Sequence, residues 1–293
     1  MTAAVGIVLY NPDIPRLKLS IESVCRDTEC IYLCDNGSRN IEEIRELLKD
    51  YRAVLLENGE NLGVAAALNI LCRHAKADGF SHILTLDQDS VCGNGMLKIL
   101  CLYAEDENVG IVAPNECNEG EDKEDLREGE QYRVITSGSL TSLSAWEKVG
   151  GFDEAMFIDL VDHDFCAALK NGGYKIIMVK DAVLYHRLGE STEIRFFMHL
   201  FGFLPIRSFK TPLYTHNHSP LRTYYYARNT IYFMRKYKNT DAIDKKAERR
   251  VFLRWIVLKL GFEKQKFLKL RAILRGVKDA KHNKMGGIKD AKA

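Results

Sequence analysis

The stretch HILTLDQDSVCGNG, residues 82–95, is apolar at Ile83, Leu84 and Leu86 and then sets Asp87 and Asp89 one residue apart. The run reads as a buried strand that ends on two carboxylates. Like charges this close raise each other's pKa unless a cation or a donor neutralises them, and Mg²⁺ or Mn²⁺ does so while keeping ligand positions open for substrate phosphates. An Asp-x-Asp string is weak evidence by itself. Its weight comes from where the chain puts it.

The segments before it settle that place. AVGIVLYNPD, residues 4–13, is a β-branched run stopped by Asn11-Pro12, and RLKLSIESV, residues 16–24, is apolar at helical spacing. CIYLCDNGS, residues 30–38, reads as a second strand ending in a turn cluster, and the helix NIEEIRELLKDY, residues 40–51, opens on acidic residues as the helix dipole prefers. A third strand, AVLLENGENLG (53–63), and a third helix, VAAALNILCRHAKADG (64–79), lead into HILTLDQDS. Strands alternating with helices of this length predict an α/β fold with a doubly wound, mostly parallel sheet. Ligands of such sheets lie beyond the carboxyl ends of the strands. The turns Asp35–Ser38, Asn58–Gly63 and Asp87–Ser90 all fall there. Each has an ordinary turn reading when taken singly; together they outline a crevice.

At 293 residues the chain has room for one large α/β domain and an appendage, and its 46% hydrophobic and 28% charged residues exclude a disordered or fibrous protein. The net charge of +2 hides a division. Residues 1–204 hold 19 Lys and Arg against 34 Asp and Glu, whereas residues 205–293 hold 23 against 6. A part so basic suits an anionic surface, or forms a plain solvated helical face. Eight cysteines show no CxxC spacing and no secretory leader is read, so a reduced cytoplasmic setting is expected and a zinc site is not. No window of about 20 apolar residues exists to span a bilayer. FFMHLFGFLPI, residues 196–206, is apolar but too short, and the acidic stretch 116–130 reads as a surface loop. Beyond it, Phe252, Trp255 and Ile256, then Phe267, Leu270, Leu274 and Val277, recur at helical spacing among lysines and arginines, a pattern suited to an anionic leaflet. Nucleic acid is not expected as a partner, because no recognised binding motif accompanies the charge.

The blocks VGIVLYNPD, CDNGS, ENLGVAAALN, LTLDQDS, SGSLTSLSAWEKVGGFDEAMFIDLVDHDF, GYKI, LYHRLG and HSPLRTYYYARNTIYFMRKY, spread over residues 5–237, carry a resemblance. In their order and spacing the sequence resembles family 2 glycosyltransferases of the glycosyltransferase-A fold, and among them bacterial rhamnosyltransferases. The resemblance implies a nucleotide-sugar-binding catalytic domain over 1–204 and a basic helical region over 205–293 that meets acceptor or membrane. It implies that Asp35 accepts a hydrogen bond from a uracil or thymine imide, unless it only forms its turn. Tyr10, Asn11, Asn61, Gly63 and Asn69 would line the nucleotide. Asp87 would face the ribose or the cation, Asp89 would ligate Mg²⁺ or Mn²⁺, and His186 would complete the coordination.

Aligned on the family's acidic motif, commonly Glu-Asp-x-Asp, Val161 replaces the first acid and Asp162 takes the place of the base that deprotonates the acceptor. On a helix start Asp159 would share its face, while Asp164 is turned away by about 200°. Asp164 would sit toward acceptor or diphosphate. Trp146 would stack on a sugar or belong to the core, and Arg228 would clamp a diphosphate or pair with the acidic domain.

The implied activity is an inverting, metal-dependent transfer, foremost of L-rhamnose from dTDP-rhamnose to a polysaccharide or lipid-linked saccharide, otherwise from a UDP-hexose or UDP-galactofuranose. The expected location is cytoplasmic, peripheral on the inner face of the cell membrane. A sugar nucleotidyltransferase would need a Gly-rich phosphate loop where VGIVLYNPD has one glycine. An inactive membrane adaptor would have no use for Asp35, Asp87, Asp89, Asp162 and His186 together.

Overall fold

A computed structural model describes residues 2–118, 126–186, 192–194, 213–215 and 217–288. The chain forms two compact units: Met1–Arg187 with Met285–Lys289, and Leu188–Lys284 with Asp290–Ala293. The boundary expected at residue 204 and the apolar run 196–206 lie outside the described residues.

The first unit is built on one mixed sheet. Strand β1 (Ala3–Leu9) buries Val5, Ile7 and Leu9 completely and pairs in parallel with β2 (Ile31–Asp35) on one side and β4 (His82–Asp87) on the other. Strand β3 (Ala53–Glu57) continues the parallel run beyond β2. Helices α1 (Ile14–Glu22), α2 (Ile41–Leu48) and α3 (Val64–Ala77) make the crossovers expected from the sequence. Helix α1 starts where Asp13 accepts a hydrogen bond from the Arg16 backbone N–H at 2.9 Å and proline occupies the first turn, both standard start signals.

The far half of the sheet departs from parallel. Its order is β3-β2-β1-β4 followed by the strands at residues 140–142 (β8), 109–117 (β6), 175–185 (β9) and 91–92 (β5), with the strand at 129–130 (β7) also pairing β9. Strand β6 (Val109–Cys117) runs parallel to β9 (Lys175–Tyr185), but β8 (Leu140–Ser142) lies antiparallel between β4 and β6. Between β6 and β8 the described residues hold no helix, only β7 (Gly129–Glu130). A chain that turns back at the carboxyl edge without a crossover helix must return antiparallel. Strand β5 (Val91–Cys92) pairs antiparallel with the end of β9, and helix α4 (Met96–Leu102) follows it. Helix α5 (Leu143–Lys148) begins at Ser142, whose hydroxyl accepts the Ala145 N–H, and α6 (Val161–Asn171) precedes β9. The acidic stretch 116–130 is not wholly a loop, since it begins inside β6 and ends in β7.

The second unit holds the short antiparallel pair β10 (Thr192–Ile194) and β11 (Leu213–Thr215) and helices α7 (Pro220–Lys236), α8 (Lys245–Phe262) and α9 (Lys266–Lys281). Ala227, Phe252 and Ile273 meet at its centre, and Tyr226 stacks on Trp255 with ring centroids 4.5 Å apart. Among the described residues no helix is long and apolar enough to cross a membrane.

Charge is also buried in this unit. Glu263 receives the ammonium of Lys259 at 2.5 Å and that of Lys269 at 2.6 Å, together with the Thr215 hydroxyl, and Lys269 reaches Asn217 Oδ1 at 3.0 Å. Burial pushes the Lys259 ammonium down, while the two lysines and Thr215 hold Glu263 below its ordinary value against the cost of burial. The network ties β11 to α8 and α9. Removing one member of such a buried set strands the others without compensation, at a cost of about 3–5 kcal/mol. Glu263→Ala is therefore expected to lower the urea midpoint of the helical unit, read by tryptophan fluorescence at Trp255; an unchanged midpoint would show that the network contributes nothing.

Candidate active site

Sheet register delivers the site. Leu9 of β1 pairs with Asp35 of β2, and Val8 pairs with Asp87 of β4, so both aspartates arrive at one carboxyl edge. The chain then passes through Asp89 and Ser90 into β5, where Val91 pairs with Tyr185. That pairing sets His186, the residue after β9, beside the Asp87–Asp89 turn. Ligand atoms of Asp87, Asp89 and His186 all lie within 4.8 Å of one another.

The turn is held by groups other than its carboxylates. Gln88 Oε1 accepts the Tyr10 N–H at 2.8 Å and Gln88 Nε2 donates to the Tyr10 carbonyl at 3.3 Å. Arg16 Nε donates to the Asp89 carbonyl at 2.6 Å, and the Asp87 N–H is accepted by Ser137 Oγ at 3.0 Å. Ser137 meets the fully buried Ser90 hydroxyl at 2.8 Å, and Ser90 Oγ lies 2.9 Å from His186 Nδ1. Partners of this kind orient a ligating imidazole. The Asp87 carboxyl is pushed up to about 6, first by burial and then by the charges of Asp89, Asp162 and Glu116, with His186 pulling the other way. Two carboxylates and an imidazole match the oxygen-and-nitrogen preference of Mn²⁺ and are usable by Mg²⁺, so the donor set fits either ion.

At the end of β2, Asp35 is buried and its carboxylate accepts the N–H groups of Gly37 at 2.9 Å and Ser38 at 3.0 Å. Asn11 joins the same turn, donating its N–H to Ser38 Oγ at 2.8 Å and accepting the Arg39 N–H at 2.9 Å. Asn61 Oδ1 accepts the Gly63 N–H at 2.9 Å. Gly63 has φ +91°, and a Cβ there would lie 2.6 Å from the Phe157 carbonyl oxygen, so the start of α3 closes on Phe157 only with glycine. Tyr10 is half exposed at the end of β1.

Four expected ligand contacts have other roles in the structure. Asn69 donates to the Phe152 carbonyl at 2.9 Å and to Glu154 at 2.8 Å, and accepts from Trp146 Nε1 at 3.0 Å and the Phe152 N–H at 2.9 Å, which exhausts its amide. Trp146, 8% exposed, is thereby a core residue rather than a sugar platform. Asp164, 1% exposed, lies inside the unit. Arg228, also 1% exposed, lies in the interior of the helical unit, 4.8 Å from the Tyr225 ring centroid, with Nε donating to Asn229 Oδ1 at 3.0 Å.

The acidic turn differs in detail as well. Helix α6 starts at Val161, and Phe157, Asp159 and Leu160 before it all have positive φ, so Asp159 shares no helical face with Asp162. Asp162, partly exposed, accepts the His163 N–H at 2.8 Å. Its charge reaches both Asp87 and Glu116. Glu116 was hidden in the supposed loop; its carboxyl is pushed up by lost solvent and by Asp162 against the pull of His186 and Arg127. Ser90 could have been noticed as the residue following Asp-x-Asp. Arg16, Gln88 and Ser137 carry no local signal, because their roles exist only across strands.

A parallel sheet with a switch to antiparallel, carrying an Asp-x-Asp turn and a histidine at its carboxyl edge, is the arrangement of glycosyltransferases of the glycosyltransferase-A fold. The structure of residues 1–349 of TarS from S. aureus overlays with TM-score 0.62 at 12% identity, covering 96% of this chain and 81% of that one. The mannosyltransferase PcManGT from Pyrobaculum calidifontis, solved with GDP-Man and Mn²⁺, gives 0.58 at 16% identity, covering 94% and 73%. Residues 4–170 match the profile of glycosyl transferase family 2, and the chain belongs to that family. It is a glycosyltransferase. The dTDP-rhamnosyl transferase RfbF of Shigella flexneri is 29% identical over 250 residues, 78% of this chain and 79% of the relative.

If the cluster takes a divalent ion, Asp89→Ala abolishes the rise in Tm that Mn²⁺ produces, and Ser90→Ala weakens Mn²⁺ affinity roughly 10- to 100-fold through the imidazole it orients. Folding raises the Asp87 pKa from 3.8 to about 6, so the ion-free protein binds an extra proton between these values and loses stability as pH rises through them. The ion requires the charged form. The Tm increment from Mn²⁺ is expected to be larger near pH 7.5 than near pH 5, and equal increments would count against Asp87 as a ligand.

Proposed function

We propose that the protein transfers L-rhamnose from dTDP-rhamnose, with inversion, to a saccharide or lipid-linked saccharide in the presence of Mg²⁺ or Mn²⁺. The observation that carries the chemistry is the gathering of Asp87, Asp89 and His186 with Asp162 near enough to act on the Asp87 carboxyl. The likeness to RfbF supports the choice of sugar and base.

Asp35 receives backbone N–H groups that aim its carboxylate, and a remaining lone pair accepts the thymine imide N–H. The turns at Tyr10–Asn11 and Asn61–Gly63 flank the nucleotide. Asp87, Asp89 and His186 would hold the cation, which would supply positive charge against the diphosphate. Asp162 takes the proton from the acceptor hydroxyl as that oxygen bonds to the anomeric carbon; the bond from that carbon to the diphosphate breaks, and dTDP leaves with the electron pair. Attack from the side opposite the leaving group inverts the centre.

Asp162→Asn is expected to lower kcat on the order of 10²–10⁴-fold while dTDP affinity, measured by calorimetry with Mn²⁺, stays level. Equal loss of dTDP affinity would remove Asp162 from the role of base. Comparing dTDP-rhamnose with UDP-hexoses and UDP-galactofuranose in a donor-hydrolysis assay decides the sugar.

The helical unit is read as the part that meets an anionic leaflet, but not through all the residues expected: Phe252, Trp255, Ile256 and Val277 pack into the core of the unit, because the helices bury that face against one another. On α9, Phe267 is 86% exposed and shares an outward stripe with Leu274, Arg271 and Lys278, and on α8 the exposed Leu253 and Val257 lie among Arg250 and Arg254. Apolar insertion and about 1 kcal/mol per basic residue near the surface act together. Full-length protein carrying Phe267→Ser and Leu274→Ser is expected to stop co-sedimenting with vesicles containing phosphatidylglycerol. Undiminished sedimentation would assign the stripe elsewhere.

A further inference from the structure

The sequence ends its helical region with Lys284-Met285-Gly286-Gly287-Ile288, a glycine pair that neither the fold of the helices nor the site explains. In the structure residues 285–289 belong to the catalytic unit. Gly286, at φ +84°, donates its N–H to the Ala155 carbonyl at 2.8 Å. A Cβ on Gly287 would lie 2.9 Å from Phe157 Cε2 and 3.1 Å from Cδ2, so the backbone here rests directly on that ring. The start of α3 reaches the same ring: a Cβ on Gly63 would lie 2.6 Å from Phe157 Cδ2, and the Val64 N–H donates to the Phe157 carbonyl at 2.7 Å. Two glycine-bearing segments far apart in sequence thus both close on Phe157.

What they close on is a strained turn. Phe157 has φ 64° and ψ −62°, and Asp159 and Leu160 follow at φ 63° and 60°. Residues with a Cβ hold such conformations only where the surroundings impose them. Asp162 comes two residues after this run, in the first turn of α6. We infer that Met285–Ile288 is a strap whose glycines close on Phe157 together with the start of α3 and so fix the turn that aims Asp162. Gly286 and Gly287 are positioning residues that act through Phe157. The inference rests on Asp162 being the base.

The test uses the full chain, the chain lacking residues 285–293, the chain lacking only 290–293, and Gly287→Val with the milder Gly287→Ala. Loss or crowding of the strap is expected to lower kcat on the order of 10- to 100-fold, the scale of a small misplacement of a reacting group, with the KM for the donor and the Mn²⁺ response level. Amide exchange of residues 157–160 and of Val64 is expected to quicken while exchange in β1 and β4 is unchanged. Removal of 290–293 alone should leave both readouts as in the full chain. Unchanged exchange at 157–160 without the strap would overturn the inference, as would quicker exchange there with kcat intact. A slowing accompanied by faster exchange throughout the sheet would also overturn it, since the strap would then be serving general stability. The exchange result does not depend on activity: if the full chain transfers no sugar, or Asp162→Asn is fully active, the proposed function fails while exchange still decides whether the strap holds the turn.

Discussion

The pairing of Val91 with Tyr185 is the contact on which the site depends. Two hydrogen-bonded residues at the end of β9 draw the chain back beside the Asp87–Asp89 turn, and His186 follows at once. Without it the turn would present two carboxylates with no imidazole, and Ser90, which lies 2.9 Å from His186 Nδ1, would have nothing to orient. The cost of the arrangement is visible in the Asp87 carboxyl, pushed up to about 6 by burial and by neighbouring acids. Like charges gathered in this way raise one another's pKa unless positive charge is placed among them.

The hydrogen bonds around the turn divide the labour. Backbone groups of residues 87 and 89 are satisfied by Ser137 and Arg16, and Gln88 ties the turn to Tyr10. The backbone of the turn is thereby held without using its carboxylates. Asn69 plays a corresponding part elsewhere in the unit, where four hydrogen bonds fasten the 146–154 bend to α3. A buried amide with every position used makes a rigid joint, and rigidity of the supports is what allows a small number of exposed groups to be placed accurately.

The helical unit handles charge differently. It keeps one carboxylate and two ammonium groups out of water in the Glu263 network, yet leaves Phe267 and Leu274 in it. Buried ions joined in one geometry give register to helices whose apolar core is small. Apolar residues are thus left in water among cations on the same unit.

Local chemistry was legible in the residues themselves. Alternating strands and helices, the stop at Asn11-Pro12, the Asp35 turn and the Asp87–Asp89 pair depend on side-chain periodicity and turn preference, which act over a few residues and can be read along the chain. Asn69, Trp146, Asp164 and Arg228 could not be placed that way, because burial is decided by what packs over a residue and not by its neighbours in sequence. The antiparallel entry of β8 and the left-handed backbone at Phe157, Asp159 and Leu160 belong to the same class. The sequence by itself determined which groups were available for cation and proton chemistry and that strand ends would carry them. Only the tertiary structure decided which of them share a space, since strand register brings together residues nearly a hundred positions apart and no local preference encodes that distance.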